Sequence, residues 1–119
     1  MPRFILSVHT SGESSAEPMT PEQMRQGYER VARLEEMMKD AGALVLSARL
    51  EAPDAAAVVD ARHGTPLVTD GPFLEAKELV GGFYLIEAAD RDAAIGWASK
   101  TSAAISMPIE LRPVLAWHD

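Results

Sequence analysis

Cysteine is absent from the 119-residue chain, and histidine occurs only three times. Without thiols there is no disulfide, no thiolate zinc or iron–sulfur site and no cysteine nucleophile. His9, His63 and His118 are too far apart in sequence to share a helix face, and no H-E-x-x-H occurs, so no metal is expected. The chain also lacks a G-x-x-x-x-G-K-[ST] loop, a G-x-G-x-x-G run after a strand and a G-x-S-x-G elbow. Nucleotide cofactors and serine hydrolysis are therefore without support, and no cofactor is expected. Long apolar runs are missing too. Met1-Pro2-Arg3 leads into an apolar run that ends by Val8, far short of a membrane span, so the expectation is no leader, no membrane partner and a cytoplasmic address. Positive charge is in deficit: 11 Lys and Arg against 18 Asp and Glu, net −7. Such a domain is repelled by nucleic acid phosphates unless a basic patch offsets this, and none is visible, so no nucleic acid partner is expected.

What is present is an ordinary apolar fraction, 47%, over a length that suits one domain, residues 1–119. Arg3–His9 is rich in β-formers and reads as a strand. A polar stretch, 10–19, follows. Thr20, Pro21 and Gln23 then form a capping box with proline at the first helical position. Met24, Tyr28, Val31, Leu34 and Met38 recur at helical spacing, and Gly42 ends the helix. This methionine-rich stripe is read as core, since an amphipathic helix buries one face. Ala43–Glu51 alternates as a strand, with Val45, Ser47 and Arg49 on one side. Ala56–Arg62 and Pro66–Thr69 flank a His63-Gly64-Thr65 turn. Residues 70–81 read as irregular, Gly82–Ala88 as a strand, Asp90–Thr101 as a capped helix, and Ile105–Trp117 contains a closing strand.

The reduced order βαββαβ predicts an α+β, ferredoxin-like sandwich, with both helices on one face of an antiparallel sheet. The other face would carry Ile5, Val45 and either Phe83 and Leu85 or Tyr84 and Ile86, mixed with Ser7, His9, Ser47, Arg49 and Arg112. Such a face is too apolar for solvent and too polar for a closed core. Pairing with a second copy answers this, and a mixed face in a homodimer makes a natural cleft for a small-molecule ligand.

Six residues are candidates for that site. His9, at a strand end, is a candidate proton carrier because histidine switches charge near neutral pH. Arg49 could grip an anion through its planar fork, or pair with Glu51, Glu87 or Glu110. Asp70, Glu75, Lys77 and Glu78 stand between two turn-like elements. A carboxylate beside an ammonium can serve acid–base work or form a solvated surface network. His9, Asp70 and Lys77 are thus the catalytic candidates, and Arg49, Glu75 and Glu78 the ligand-binding ones. Gly71, Pro72, Phe73, Gly81 and Gly82 are better explained by architecture, with Phe73 expected to anchor its loop in the core.

The run Asp70-Gly71-Pro72-Phe73-Leu74-Glu75-Ala76-Lys77-Glu78, followed by Gly81-Gly82-Phe83-Tyr84, resembles the signature of the YCII-related family in its DGPF-motif branch. The first strand, the "AGAL" helix-to-strand turn and the closing "IELRPV" strand fit the same family. Ala76 departs from the usual threonine. The resemblance implies a ferredoxin-like fold that pairs as a dimeric α/β barrel. In the wider group it implies small enzymatic chemistry through a His–Asp pair whose His lies on the first helix, and Pro21–Ala41 contains no histidine. Some DGPF-branch relatives are associated with sigma-factor-like proteins, which implies the alternative of a non-catalytic regulatory or interaction protein.

Overall fold

The computed structural model describes residues 1–11, 19–73 and 78–118, apart from the side chains of Ser11 and Glu78. Among these residues the chain runs β1 (Arg3–Ser11), α1 (Pro21–Asp40), β2 (Leu44–Arg49), a 3-10 turn at Pro53–Ala55, β3 (Ala57–Asp60), β4 (Leu67–Asp70), β5 (Glu78–Glu87), α2 (Arg91–Ile105) and β6 (Ile109–Pro113).

Local chemistry sets the helix ends. The Thr20 hydroxyl accepts from the Gln23 N–H at 3.1 Å, and the Gln23 side chain accepts from the Thr20 N–H at 2.9 Å. This reciprocal pair satisfies two donors at the start of α1. At the far end Gly42 turns left-handed, φ 69°, and the Ala43 N–H closes on the Met38 carbonyl at 2.8 Å. The Asp90 side chain caps α2 by accepting from the Ala93 N–H at 2.8 Å.

The main sheet has four strands in the order β2-β5-β1-β6, and every pairing in it is antiparallel. Together with the two helices this is a mixed α+β architecture, consistent with the ferredoxin-like arrangement. Phe4, Leu6, Tyr84 and Ile86 point to the helix side and meet Leu34, Met38 and Ala94. Leu6, Met38 and Ile86 are wholly buried, each worth roughly 1.5–3 kcal/mol. β3 and β4 form a separate two-stranded ribbon around the His63-Gly64 turn, with Gly64 at φ 102° as the turn requires.

Two irregularities change which way side chains point. Leu44 pairs with Ile86 but Leu46 pairs with Leu85, so Val45 is an extra residue in β2. Val8 pairs with Gly82 but His9 pairs with Val80, so Gly81 is an extra residue in β5. One inserted residue moves every later side chain to the opposite face. The sheet face away from the helices therefore carries Ile5, Ser7, Leu46, Ala48, Phe83 and Leu85. Ser47 and Arg49 go to the helix side, contrary to the strict alternation read from the sequence.

Three further expectations are corrected. Residues 78–81 are strand rather than irregular, because their backbone pairs with the extended end of β1. α2 runs to Ile105 instead of Thr101, and Ser106 caps it in the left-handed region at φ 62°. Phe73 does not enter the core: three residues past the end of β4, its side chain is 71% exposed.

Candidate functional site

The stripe on α1 continues past the core. Leu34 and Met38 are buried under the sheet, but Met24 and Tyr28, about three and two turns before Leu34, stay 39% and 59% exposed. This part of the stripe is the wall of a cleft, not core. The opposite wall is Ser47 and Arg49 of β2 together with Tyr84 of β5, and Ala104, Ile105 and Ser106 close one end. The space enclosed is about 540 Å³, within the range that small-molecule sites occupy. Gly82 is part of the reason it is open. It stands on the helix side of β5 beside Tyr84, where any other residue would place a side chain, and the β2 backbone leaves no room for one: a Cβ would lie 2.8 Å from the Ala48 carbonyl oxygen.

At the floor, the Tyr84 hydroxyl donates to Oε1 of Glu35 on α1 at 3.1 Å. Tyr84 is 6% exposed. Burial, the negative charge of Glu35 and this hydrogen bond together push the Tyr84 pKa up to about 12. The phenol therefore keeps its proton at neutral pH and serves as a fixed donor that holds the carboxylate. Near the rim, the Arg49 guanidinium lies over the Tyr28 ring, 5.9 Å from its centroid. Arg30 donates from Nε to the Ala104 carbonyl at 3.2 Å, which ties α1 to the C-terminal end of α2 and satisfies one of its orphan carbonyls. The cleft thus offers apolar walls, two arginines, Arg49 near the rim and Arg30 at the α2 end, and a hydrogen-bonded carboxylate at its floor.

Of the described catalytic and ligand-binding candidates, His9, Arg49 and Asp70, Arg49 alone lines this cleft. His9 belongs to the other side of the sheet, where its Nε2 lies 3.0 Å from the hydroxyl of buried Ser7. Asp70 is exposed at the end of β4. Glu75 and Lys77 lie outside the described residues, and Glu78 is described only as the first backbone residue of β5. The structure does not bring His9, Arg49 and Asp70 to one place. The alternative pairings suggested for Arg49 are also settled in part: Glu87 binds Arg3 at 3.1 Å and Glu110 binds Arg112 at 2.7 Å. A second, smaller cavity of about 300 Å³ is lined by Pro72 of the D-G-P-F run, Pro53, Ala56 and the start of β5. Gly71 sits beside it with ordinary negative φ. What it needs is small size, because its N–H bonds the Ala56 carbonyl at 2.8 Å and a Cβ would meet Ala56 at 3.1 Å.

Sequence reasoning missed Glu35, Tyr84 and Tyr28 as site residues. One signal was available. Met24, Tyr28, Val31, Glu35 and Met38 follow at spacings of four and three, so Glu35 is a carboxylate standing on an otherwise apolar stripe. Tyr84 gave no such signal, because its face depended on the register of β5. Among the described residues no group of three or more His, Asp or Glu could hold a metal ion, and no helix is long and apolar enough to cross a membrane.

The family model of the YCII-related domain matches residues 4–118. The chain belongs to this family. An uncharacterized protein of Rhizobium meliloti (strain 1021) is similar to it, 45% identical over 65 residues, which is 55% of this chain and 52% of that protein. The chain thus spans about half the length of the curated relative it matches. In this YCII-related chain α1 presents Glu35 and Tyr28, and no histidine, to the cleft.

Proposed function

We propose that this YCII-related protein, of the DGPF-motif branch, is a cytoplasmic homodimer that binds a small molecule between α1 and the sheet, with acid–base chemistry centred on Glu35. The observation that carries the reading is the Tyr84–Glu35 hydrogen bond at the floor of a cleft of about 540 Å³. A carboxylate next to unfilled space can accept a proton or a hydrogen bond from a ligand. Tyr84, held protonated, donates to that carboxylate and fixes its position. The site lies on the helix side of the sheet rather than on the face first expected for it, and within one chain. A screen of small organic molecules by amide chemical shifts tests this. Hits should move resonances of α1 between Met24 and Glu35 and of Arg49 and Tyr84. Hits confined to other surfaces would sink the reading.

The homodimer is supported by the face away from the helices. Ile5, Phe83 and Leu85 stand there beside Leu46, which is 46% exposed, and Ala48. Covering this apolar strip with its copy through a two-fold axis buries it in both chains at once and closes the two sheets into a dimeric α/β barrel. Permanent interfaces of this kind commonly bury more than ~2,000 Å². Light scattering at micromolar concentration should return twice the chain mass, and a monomer mass would refute the pairing.

A second reading, a non-catalytic regulatory or interaction protein with a sigma-factor-like partner, is favoured by one feature. Phe73 and, on the β3–β4 ribbon, Val59, Leu67 and Val68 are each more than three-fifths exposed. Two-stranded ribbons are marginal alone in water, and these side chains are available to a partner.

A further inference from the structure

We infer that the cleft takes an organic monocarboxylate with an apolar or aromatic body, its carboxylate held by Arg49 and its far end facing Glu35. This rests on the reading of the cleft as a ligand site and specifies the ligand's chemistry. The chain carries a surplus of acid, net −7, yet among the described residues Arg49 has no carboxylate partner and donates no hydrogen bond. The acids on the first turns of α1 are engaged elsewhere, since Glu22 and Glu29 both bind Arg25. Glu35 is held by Tyr84. Contact with the Tyr28 ring orients the Arg49 guanidinium without using its N–H groups, so its planar fork stays open to a matching acceptor.

Two features favour a single carboxylate over a phosphate. One free fork matches one carboxylate in two parallel hydrogen bonds. Glu35 would repel a second negative charge at the floor but accept a hydrogen bond from a hydroxyl or amine placed there. Between the two, Val31 offers apolar contact, and Met24 stands one turn beyond Tyr28.

The test compares three probes on the intact protein by amide shift titration: 4-hydroxyphenylacetate, 4-hydroxyphenylacetamide and phenyl phosphate. The acid should bind about tenfold or more tightly than the neutral amide, the size expected of one charge-assisted pair. Arg49→Gln should bring the two to near equality, with its melting curve unchanged. Arg62→Gln, on the exposed ribbon, should keep the preference. Equal binding of acid and amide to the wild type would overturn the carboxylate assignment while leaving the small-molecule cleft standing. Tighter binding of phenyl phosphate would overturn it in favour of phosphate. If no probe moved any cleft resonance, both this inference and the ligand-site reading beneath it would fall.

Discussion

Replacing Tyr84 by Phe removes one oxygen and little else, because the ring already packs in the core beside Leu6 and Ile86. The lost interaction is a hydrogen bond to Glu35 at 3.1 Å. Bonds to charged acceptors contribute about 1.5–3 kcal/mol when buried. Glu35 is half-buried and can recover some hydration, so the expected loss at neutral pH is about 1–2 kcal/mol, a few degrees in Tm for a domain of this size. The pH dependence is more diagnostic. Folded Tyr84 keeps its proton to about pH 12, whereas an unfolded tyrosine loses it near pH 10. The folded state therefore holds one proton that the unfolded state gives up in that window. Its stabilisation is complete below about pH 10 and disappears as pH rises through about 12. The upper bound from the shift is about 2.7 kcal/mol, and water reaching Glu35 reduces this to about 1–2 kcal/mol. Urea unfolding of wild type and Tyr84→Phe at closely spaced pH values, with tyrosinate absorbance followed in parallel, measures the difference directly. Other titrating groups cancel in the comparison. Wild type should lose stability faster than the variant above about pH 10. Parallel curves would show that Tyr84 does not hold a proton for Glu35, and the acid–base reading would lose its support.

Gly82→Ala should destabilise by roughly 1–3 kcal/mol in urea unfolding, because the new Cβ would lie 2.8 Å from the Ala48 carbonyl and β2 would have to move. Thr20→Ala breaks the capping box and should cost about 1 kcal/mol by thermal melting. Phe73→Ala should change melting of the isolated protein by less than about 0.5 kcal/mol, since the ring is 71% exposed. A large loss there would mean that Phe73 is covered in the assembled protein.

The order of elements was legible because each boundary is written in local chemistry. Thr20, Pro21 and Gln23 start α1 whatever surrounds it, Gly42 stops it, and Asp90 starts α2. The βαββαβ order and the D-G-P-F run, which led to the family resemblance, were likewise readable. The site was less so. Arg49 was singled out as an anion-binding candidate, and its face was misread. Alternation assumes an unbroken register, and Val45 breaks it; a bulge has no fixed local signature, as it is set by the pairing partner. Phe73 was expected inside because it is large and apolar, yet the path of the chain after Asp70 decides its burial.

The sequence alone therefore determined what depends on neighbours a few residues away: the helix caps, the apolar stripe, the strand count and the acidic balance. Tertiary structure decided what depends on contacts between distant segments. It placed Tyr84, from β5, within 3.1 Å of Glu35, from α1, across 49 positions of sequence. It turned Arg49 toward Tyr28 through a single inserted residue, and it left the first half of the α1 stripe uncovered because Gly82 places no side chain beneath it. Propensity acts within a turn or two of chain, whereas a cleft is the space several segments fail to fill together, and only their packing fixes its shape.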